Sequence, residues 1–398
     1  MPPQNPEIRL LDGAFYLDRP LEHYAWMRRH APVYWDESGQ VFGVSRHDDV
    51  MAVSKNPELF CSRMSSRPDA PPIPSMINLD DPQHKRRRNL VNKGFTPRRV
   101  EDHESKIRAI CRDLIAAVAA KGRCDFVRDI AAPLPMIIIG DLLGVAPEDR
   151  GKLLRWSDDL IAGTDAAAPP AVKLAMMTAA TEYIQYAQRV IADRRAKPQG
   201  EDLMSVLVHA EIDGEKLGDD ELIQESLLIL VGGDETTRHV ITGGMLALIR
   251  HPDARRALSA NPAGIPTAVE EMLRWVTPIK NMNRTATADT ELCGVKIRAG
   301  EKVLLLYEAA NRDERVFAEP DRFDPARAPN DHVAFGGYGA HFCLGASLAR
   351  LELRVMFEEL LARLPDLELE AAAPPKLRPS NFIVGIEHMP VVFTPRSD

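Results

Sequence analysis

Long apolar runs are absent from this chain. The strongest, at 134–139 and 227–231, are far shorter than the roughly 20 residues a membrane-spanning helix needs. The first residues, Met1-Pro2-Pro3-Gln4-Asn5-Pro6, lack a charged region followed by an apolar core, so a cytoplasmic protein is expected. Positive charge is not in surplus either. Fifty Lys and Arg face 58 Asp and Glu, a net −8 that argues against general nucleic-acid binding. No CxxC, HExxH or HxH occurs, which removes the usual zinc sites. Five scattered cysteines (Cys61, Cys111, Cys124, Cys293, Cys343) do not make a disulfide framework. With no internal repeat and no dividing linker, one domain over residues 1–398 is expected, although the length alone allows two or three.

Most of these cysteines read as small buried hydrophobes. Cys111, within the helical pattern Ile107, Ile110, Leu114 and Ile115, is an example. Cys343 differs. It closes the run Val333-Ala-Phe-Gly-Gly-Tyr-Gly-Ala-His-Phe-Cys343-Leu-Gly345, in which Gly336, Gly337, Gly339 and Gly345 crowd together. Glycine serves where the backbone takes positive φ or approaches something closely. Leu344, Leu348, Leu351 and Val355 then share a helical face until Pro365. Cys343 therefore stands at a helix N-terminus, where free N–H groups favour a thiolate. Such a thiolate suits a soft metal centre, and the glycines leave room for something planar. A reactive catalytic thiol is the main rival.

A second long segment opens at Gly218-Asp219, with Asp219 as candidate N-cap, and runs to about Arg250. Thirty helical residues span about 45 Å. The segment is apolar nearly all round until Gly232-Gly233-Asp234-Glu235-Thr236-Thr237. Two glycines there cost about 1 kcal/mol each relative to alanine, and buried acids and hydroxyls need partners. Either the helix kinks towards a loop, or its backbone opens for a small ligand beside an acid and an alcohol.

Phe335, Gly339, His341, Cys343 and Gly345 resemble the haem-binding signature of the cytochrome P450 family. One departure is visible: Phe335 precedes the cysteine by eight residues where seven is usual. The resemblance covers nearly the whole chain. It implies a mainly α fold with small β-sheets, in which a long central helix and the cysteine-ligand loop enclose haem b, with Cys343 on the iron. In the central helix it implies that Gly233 gives room for dioxygen and that Glu235 and Thr236 deliver protons. Glu271 and Arg274, which alone would pass for a surface ion pair, become a structural triad with Arg322. His84, Arg88, Arg284 and His341 match positions that hold haem propionates, as bidentate guanidinium groups can. Lys85, Arg86, Arg87, Lys93, Arg98 and Arg99 could form a basic dock for an acidic ferredoxin served by an NAD(P)H-dependent reductase.

Helical patterns fill about 47–60, 83–92, 99–121, 147–160, 171–196, 202–211, 219–250, 253–260, 265–276 and 344–363. Strand-like stretches lie at 33–35, 41–44, 290–297, 302–306 and near 381–392. The Ala- and Pro-rich stretch 162–170 is expected to be flexible and to lie by the substrate entrance. Met76, Ile77, Val231, Gly232, Ile279, Met282 and Phe382 match positions that line the substrate pocket in the family, and their apolar character suits a large lipophilic molecule. Segments 124–135, 232–239, 273–275 with 280–282, and 389–395 resemble actinobacterial steroid side-chain hydroxylases. The expected reaction is thus hydroxylation of the terminal side-chain methyl of cholesterol or cholest-4-en-3-one. Terminal hydroxylation of branched fatty acids or terpenoids is the alternative, and a non-catalytic haem-binding protein is the reading from another class.

Overall fold

The computed structural model describes residues 3–17, 20–163, 168–212, 214–371 and 373–396. Its axis is the helix Asp219–Arg250, as long as its apolar pattern demanded. Gly218, not Asp219, is the N-cap, because the Glu221 carboxylate reaches back to accept the Gly218 N–H at 3.0 Å. Asp219, Asp220 and Glu221 then occupy the first turn, where the helix dipole favours them. The helix assignment runs unbroken through Gly232–Thr237, with no loop there.

Its glycines explain how other helices approach. A Cβ on Gly233 would lie 2.4 Å from Ile139 of the helix Pro133–Leu142. One on Gly244 would lie 2.9 Å from Met272 of Ile265–Val276 and 3.0 Å from Phe357 of Ala346–Arg363. These three helices pack on the central one and share its apolar core. Helix Pro133–Leu142 escaped the sequence reading, because its apolar run 134–139 has no amphipathic period, Pro133 precedes it and Pro135 interrupts it. Helix Pro20–His30 was also missed, and the pattern at 47–60 ends at Ser54 before a short strand, Phe60–Cys61.

The main sheet is ordered Val33–Asp36, Val41–Val44, Lys302–Leu306, Asn281–Ala286, Phe60–Cys61. Only the pairing of Val41–Val44 with Lys302–Leu306 is parallel. The stretch read as one strand at 290–297 is a hairpin, turned at Cys293 (φ 51) and Gly294 (φ 77). A further three-stranded sheet joins Arg123–Asp125, Pro390–Val392 and Glu368–Leu369. In the stretch 162–170, Ala162 ends one helix and Pro170 begins the next; residues 164–167 lie outside the described residues. Among the described residues no helix is long and apolar enough to cross a membrane.

Candidate active site

The loop before Cys343 is drawn tight by its own backbone. Gly336 N–H binds Val333 O at 3.0 Å, Phe342 N–H binds Gly339 O at 3.0 Å, and Cys343 N–H binds Phe335 O at 2.9 Å. A Cβ on Gly339 would lie 1.8 Å from Ser54 O, so only glycine lets the loop rest on the end of helix His47–Ser54. The extra residue is taken up by Tyr338, which adopts φ 57 and turns outward, 47% exposed. Its ring stacks on Phe342 at 5.1 Å and 19°. Phe335 packs under Arg350, whose guanidinium lies 4.6 Å from its ring centre.

Cys343 is surrounded by protein, yet its side chain is exposed, so it faces interior space. Burial pushes its thiol up. The N–H groups of Gly345 and Ala346, with Arg88 and Arg350, pull the other way. The helix N-terminus inferred from sequence is therefore present, but in the chain alone desolvation outweighs it. An added Cβ on Gly345 would touch nothing.

Beside the cysteine loop the structure gathers His84, Arg88, Arg284 and His341. The two imidazole rings lie 4.2 Å apart, tilted by 37°, and Arg88 donates to Phe342 O. Arg284 is buried and donates only to the carbonyl of its neighbour Asn283, at 2.7 Å. Neither Arg88 nor Arg284 pairs with a carboxylate among the described residues. His341 is pushed down to about 2 by burial and by Arg284, His84 and Arg88. His84 is lowered chiefly by burial, and its Nε2 has no partner. His84 meets Asp81 through Nδ1 at 3.3 Å, but two guanidinium groups without a carboxylate among the described residues, one buried and one half-buried, next to a thiol facing open space, fit a planar metal complex that carries carboxylates.

In the central helix Thr236 donates its hydroxyl to Gly232 O at 2.9 Å. An added Cβ on Gly232 would touch nothing, whereas Gly233 is pressed against Ile139. The helix is thus open at Gly232 and packed against Ile139 at Gly233. Glu235 is buried and gripped by two arginines that the sequence reading did not assign. Arg238 donates to one oxygen, and Arg378 donates to both at 2.9 and 2.8 Å. Arg238 also reaches the half-exposed Asp158 at 3.1 Å. Asp234 lies alongside, buried, with neither oxygen partnered. Burial raises it to about 7.

Glu271 and Arg274 form a fully buried bidentate pair, both contacts 2.7 Å. Arg274 also binds the carbonyls of Asn311 and Pro320 at 2.8 Å. The expected third member is corrected. The Arg322 side chain points outward to Glu319, and only its carbonyl faces the pair. Arg327 takes the place, its Nε 3.1 Å from Glu271. Arg322 follows Glu319, whose φ of 46 turns the chain so that this side chain leaves the core.

Of the expected pocket residues, Met76 is buried, Gly232 is exposed, and Ile77, Val231, Ile279, Met282 and Phe382 are half-buried. Thr277, at φ 38, ends helix Ile265–Val276 and turns the chain into Ile279. Ile279 bridges Ile383, which places the Phe382 turn beside it. The expected basic dock is largely committed within the protein. Arg86 pairs with Glu215, Arg87 with Glu221 and Glu225, and Lys93 and Arg99 bind the carbonyls of Glu211 and Glu201.

A cytochrome P450 family model matches residues 30–261 and 265–387. A steroid C26-monooxygenase of Mycolicibacterium smegmatis is 52% identical over 98% of this chain and 97% of its own length. A methyl-branched lipid omega-hydroxylase of Mycobacterium bovis is 40% identical over 96% of this chain and 91% of its own. The solved cytochrome P450 CYP109Q5 of Chondromyces apiculatus superposes with a TM-score of 0.89 at 35% identity, covering 98% of this chain and 99% of that one. CYP109E1 of Bacillus megaterium, solved with corticosterone, gives 0.86 at 34% identity over 94% and 98%. The chain belongs to the cytochrome P450 family.

Proposed function

We propose that residues 1–398 work as a single haem domain, in which Cys343 ligates haem b and a steroid side chain is hydroxylated at its terminal methyl. The observation that carries the haem reading is the set Arg88, Arg284, His84 and His341, buried or half-buried beside Cys343, with no carboxylate on either arginine among the described residues. These four groups would hold the propionates. When bound, haem supplies dioxygen binding and the oxidation of an unactivated C–H bond.

The chain's own part is to position and to move protons. Thr236 keeps its hydroxyl on the open side of the central helix by donating to Gly232 O. Glu235, held by Arg238 and Arg378, would pass a proton towards Thr236, while Arg238, which keeps its own proton, ties Glu235 to the half-exposed Asp158. Phe335 and Arg350 shield the thiolate face. A ferredoxin, reduced by an NAD(P)H-dependent reductase, would supply electrons. Since Arg86 and Arg87 are internally paired, its dock draws on the remaining surface charges.

The half-buried apolar set Ile77, Val231, Ile279, Met282 and Phe382 suits a large lipophilic substrate. The 52% identity to a steroid C26-monooxygenase supports a cholesterol-type side chain, and the methyl-branched lipid omega-hydroxylase at 40% supports the alternative. The test is a spectral titration of the ferric holoprotein with cholest-4-en-3-one, a methyl-branched fatty acid and a terpenoid, with Cys343→Ser alongside. The steroid is expected to displace the iron-bound water at the lowest concentration, and Cys343→Ser to lose the thiolate-type Soret band. A response to the fatty acid or the terpenoid alone would overturn the steroid reading. A thiolate-type band surviving in Cys343→Ser would overturn the ligand.

A further inference from the structure

The central helix carries one more buried acid that the reaction does not use. Glu225 precedes Gly232 by seven residues and Thr236 by eleven, so all three lie on one stripe of the helix. Its Oε1 accepts the Met76 N–H at 2.8 Å and Arg87 Nη1 at 3.0 Å, while Oε2 is buried without a partner. Arg87 is shared: Nη1 also donates to Pro74 O at 2.7 Å, and Nη2 to Glu221 Oε1 at 2.7 Å. Four ties thus converge on the point where the segment 74–76 meets the helix.

That segment belongs to a larger loop, closed on itself by Asn78. Its Oδ1 accepts the Ser66 N–H at 2.6 Å, and its Nδ2 donates to Ile73 O at 3.1 Å. Outside the tie the loop is open to solvent, with Met64 and Ile73 exposed; inside it, Met76 is buried. The next helix residue holds a second cover. Ser226 Oγ accepts the Tyr183 hydroxyl at 2.9 Å, fastening helix Pro170–Arg195. Two consecutive residues of the central helix therefore grip two different segments.

We propose that Glu225, with Arg87, is a positioning latch that fixes the Met76–Ile77 wall against the central helix and so sets how tightly and selectively a large substrate is enclosed. This rests on Met76 and Ile77 lining the pocket, as in the functional reading above. Burial pushes the Glu225 carboxyl up to about 7 against the pull of Met76 N–H and Arg87, so its hold depends on those two donors.

Hydrogen exchange on the holoprotein tests the latch directly, in Glu225→Ala, Glu225→Gln and Arg87→Met. Losing one buried hydrogen bond should speed exchange of the amides at 76–79 by about tenfold in Glu225→Ala, with less change in Glu225→Gln, which keeps an acceptor for Met76. Peptides from 236–250 should not change. In spectral titrations, Glu225→Ala and Arg87→Met should weaken binding of the tightest of the three ligands by about tenfold, moving KM more than kcat. Unchanged exchange in both Glu225→Ala and Arg87→Met would overturn the latch. Faster exchange with unchanged affinity for all three ligands would overturn its part in enclosing substrate. Faster exchange and weaker binding of a fatty acid or terpenoid, with no response to steroid, would leave the latch standing and remove only the steroid.

Discussion

Glu271 and Asp234 are both wholly buried acids, and the fold treats them in opposite ways. Glu271 accepts Nε and Nη2 of Arg274, Nε of Arg327, Nδ2 of Asn330 and the main-chain N–H of Asp324. Asp234 has no well-formed hydrogen bond at either oxygen among the described residues; Ser157 and Arg238 lie near it, but the guanidinium of Arg238 donates to Asp158 and Glu235. The first arrangement fixes geometry. The second stores an electrostatic cost beside the acid assigned to proton delivery. A saturated buried carboxylate marks structure, and an unsaturated one marks a place where function has been kept at the expense of stability.

The saturated cluster also explains how a lock far from the cysteine governs it. Arg274 binds Asn311 O at 2.8 Å, and the Asn311 side chain accepts the Val333 N–H at 2.7 Å. Val333 O in turn receives the Gly336 N–H, and Phe335 O receives the Cys343 N–H. The largest effect is therefore expected from Glu271→Gln, which keeps the size and removes the charge. Breaking one partner of a buried pair costs about 3–5 kcal/mol, so the variant should accumulate little haem-loaded protein and unfold at markedly lower urea. Wild-type loading and midpoint would erase the distinction between the two acids.

The opposite sign is expected of Asp234→Asn. The Asp234 carboxyl titrates near 3.8 unfolded and is raised to about 7 by burial in the fold. Between those values the folded state holds a proton that the unfolded state has lost, so stability falls as pH rises and the full cost is present above about pH 7. Asparagine removes that cost. Its urea midpoint at about pH 8 should rise, by on the order of 1–3 kcal/mol, and should match wild type at about pH 4. A lower midpoint at the alkaline end would show that Asp234 is ionised and satisfied after all.

The same contrast separates what the sequence made legible from what it hid. Cys343, the glycines around it and the length of the central helix are local features, and local spacing was enough to find them; the i,i+3 pair Glu271 and Arg274 is local too, but alone it read as a surface pair, and the family resemblance made it a lock. The choice between Gly232 and Gly233 is not local: it depends on Ile139, which arrives from another helix and closes one side. Arg378, the second grip on Glu235, is far away in sequence and enters from a short strand-side turn. The basic run at 85–87 read as a docking face because the acids that meet Arg86 and Arg87, Glu215, Glu221 and Glu225, lie well over a hundred residues further on.

Arg322 and Arg327 give the finest version of the comparison, two arginines five residues apart beside the same lock. The Arg322 side chain is 63% exposed and pairs at 2.9 Å with Glu319, itself 71% exposed. Exposed pairs of this kind contribute about 0–1 kcal/mol. Its carbonyl, which accepts from Arg274 and Arg327, survives any side-chain change. Arg322→Ala should therefore leave haem loading intact and move the urea midpoint by no more than about 0.5 kcal/mol in stability. Arg327→Ala should stand apart, because it removes the ion pair to Glu271 and the donors to the carbonyls of Ala318, Glu319 and Arg322. If Arg322→Ala proves as damaging as Arg327→Ala, the outward pair with Glu319 is holding the turn, and the third member of the lock belongs where the sequence first placed it.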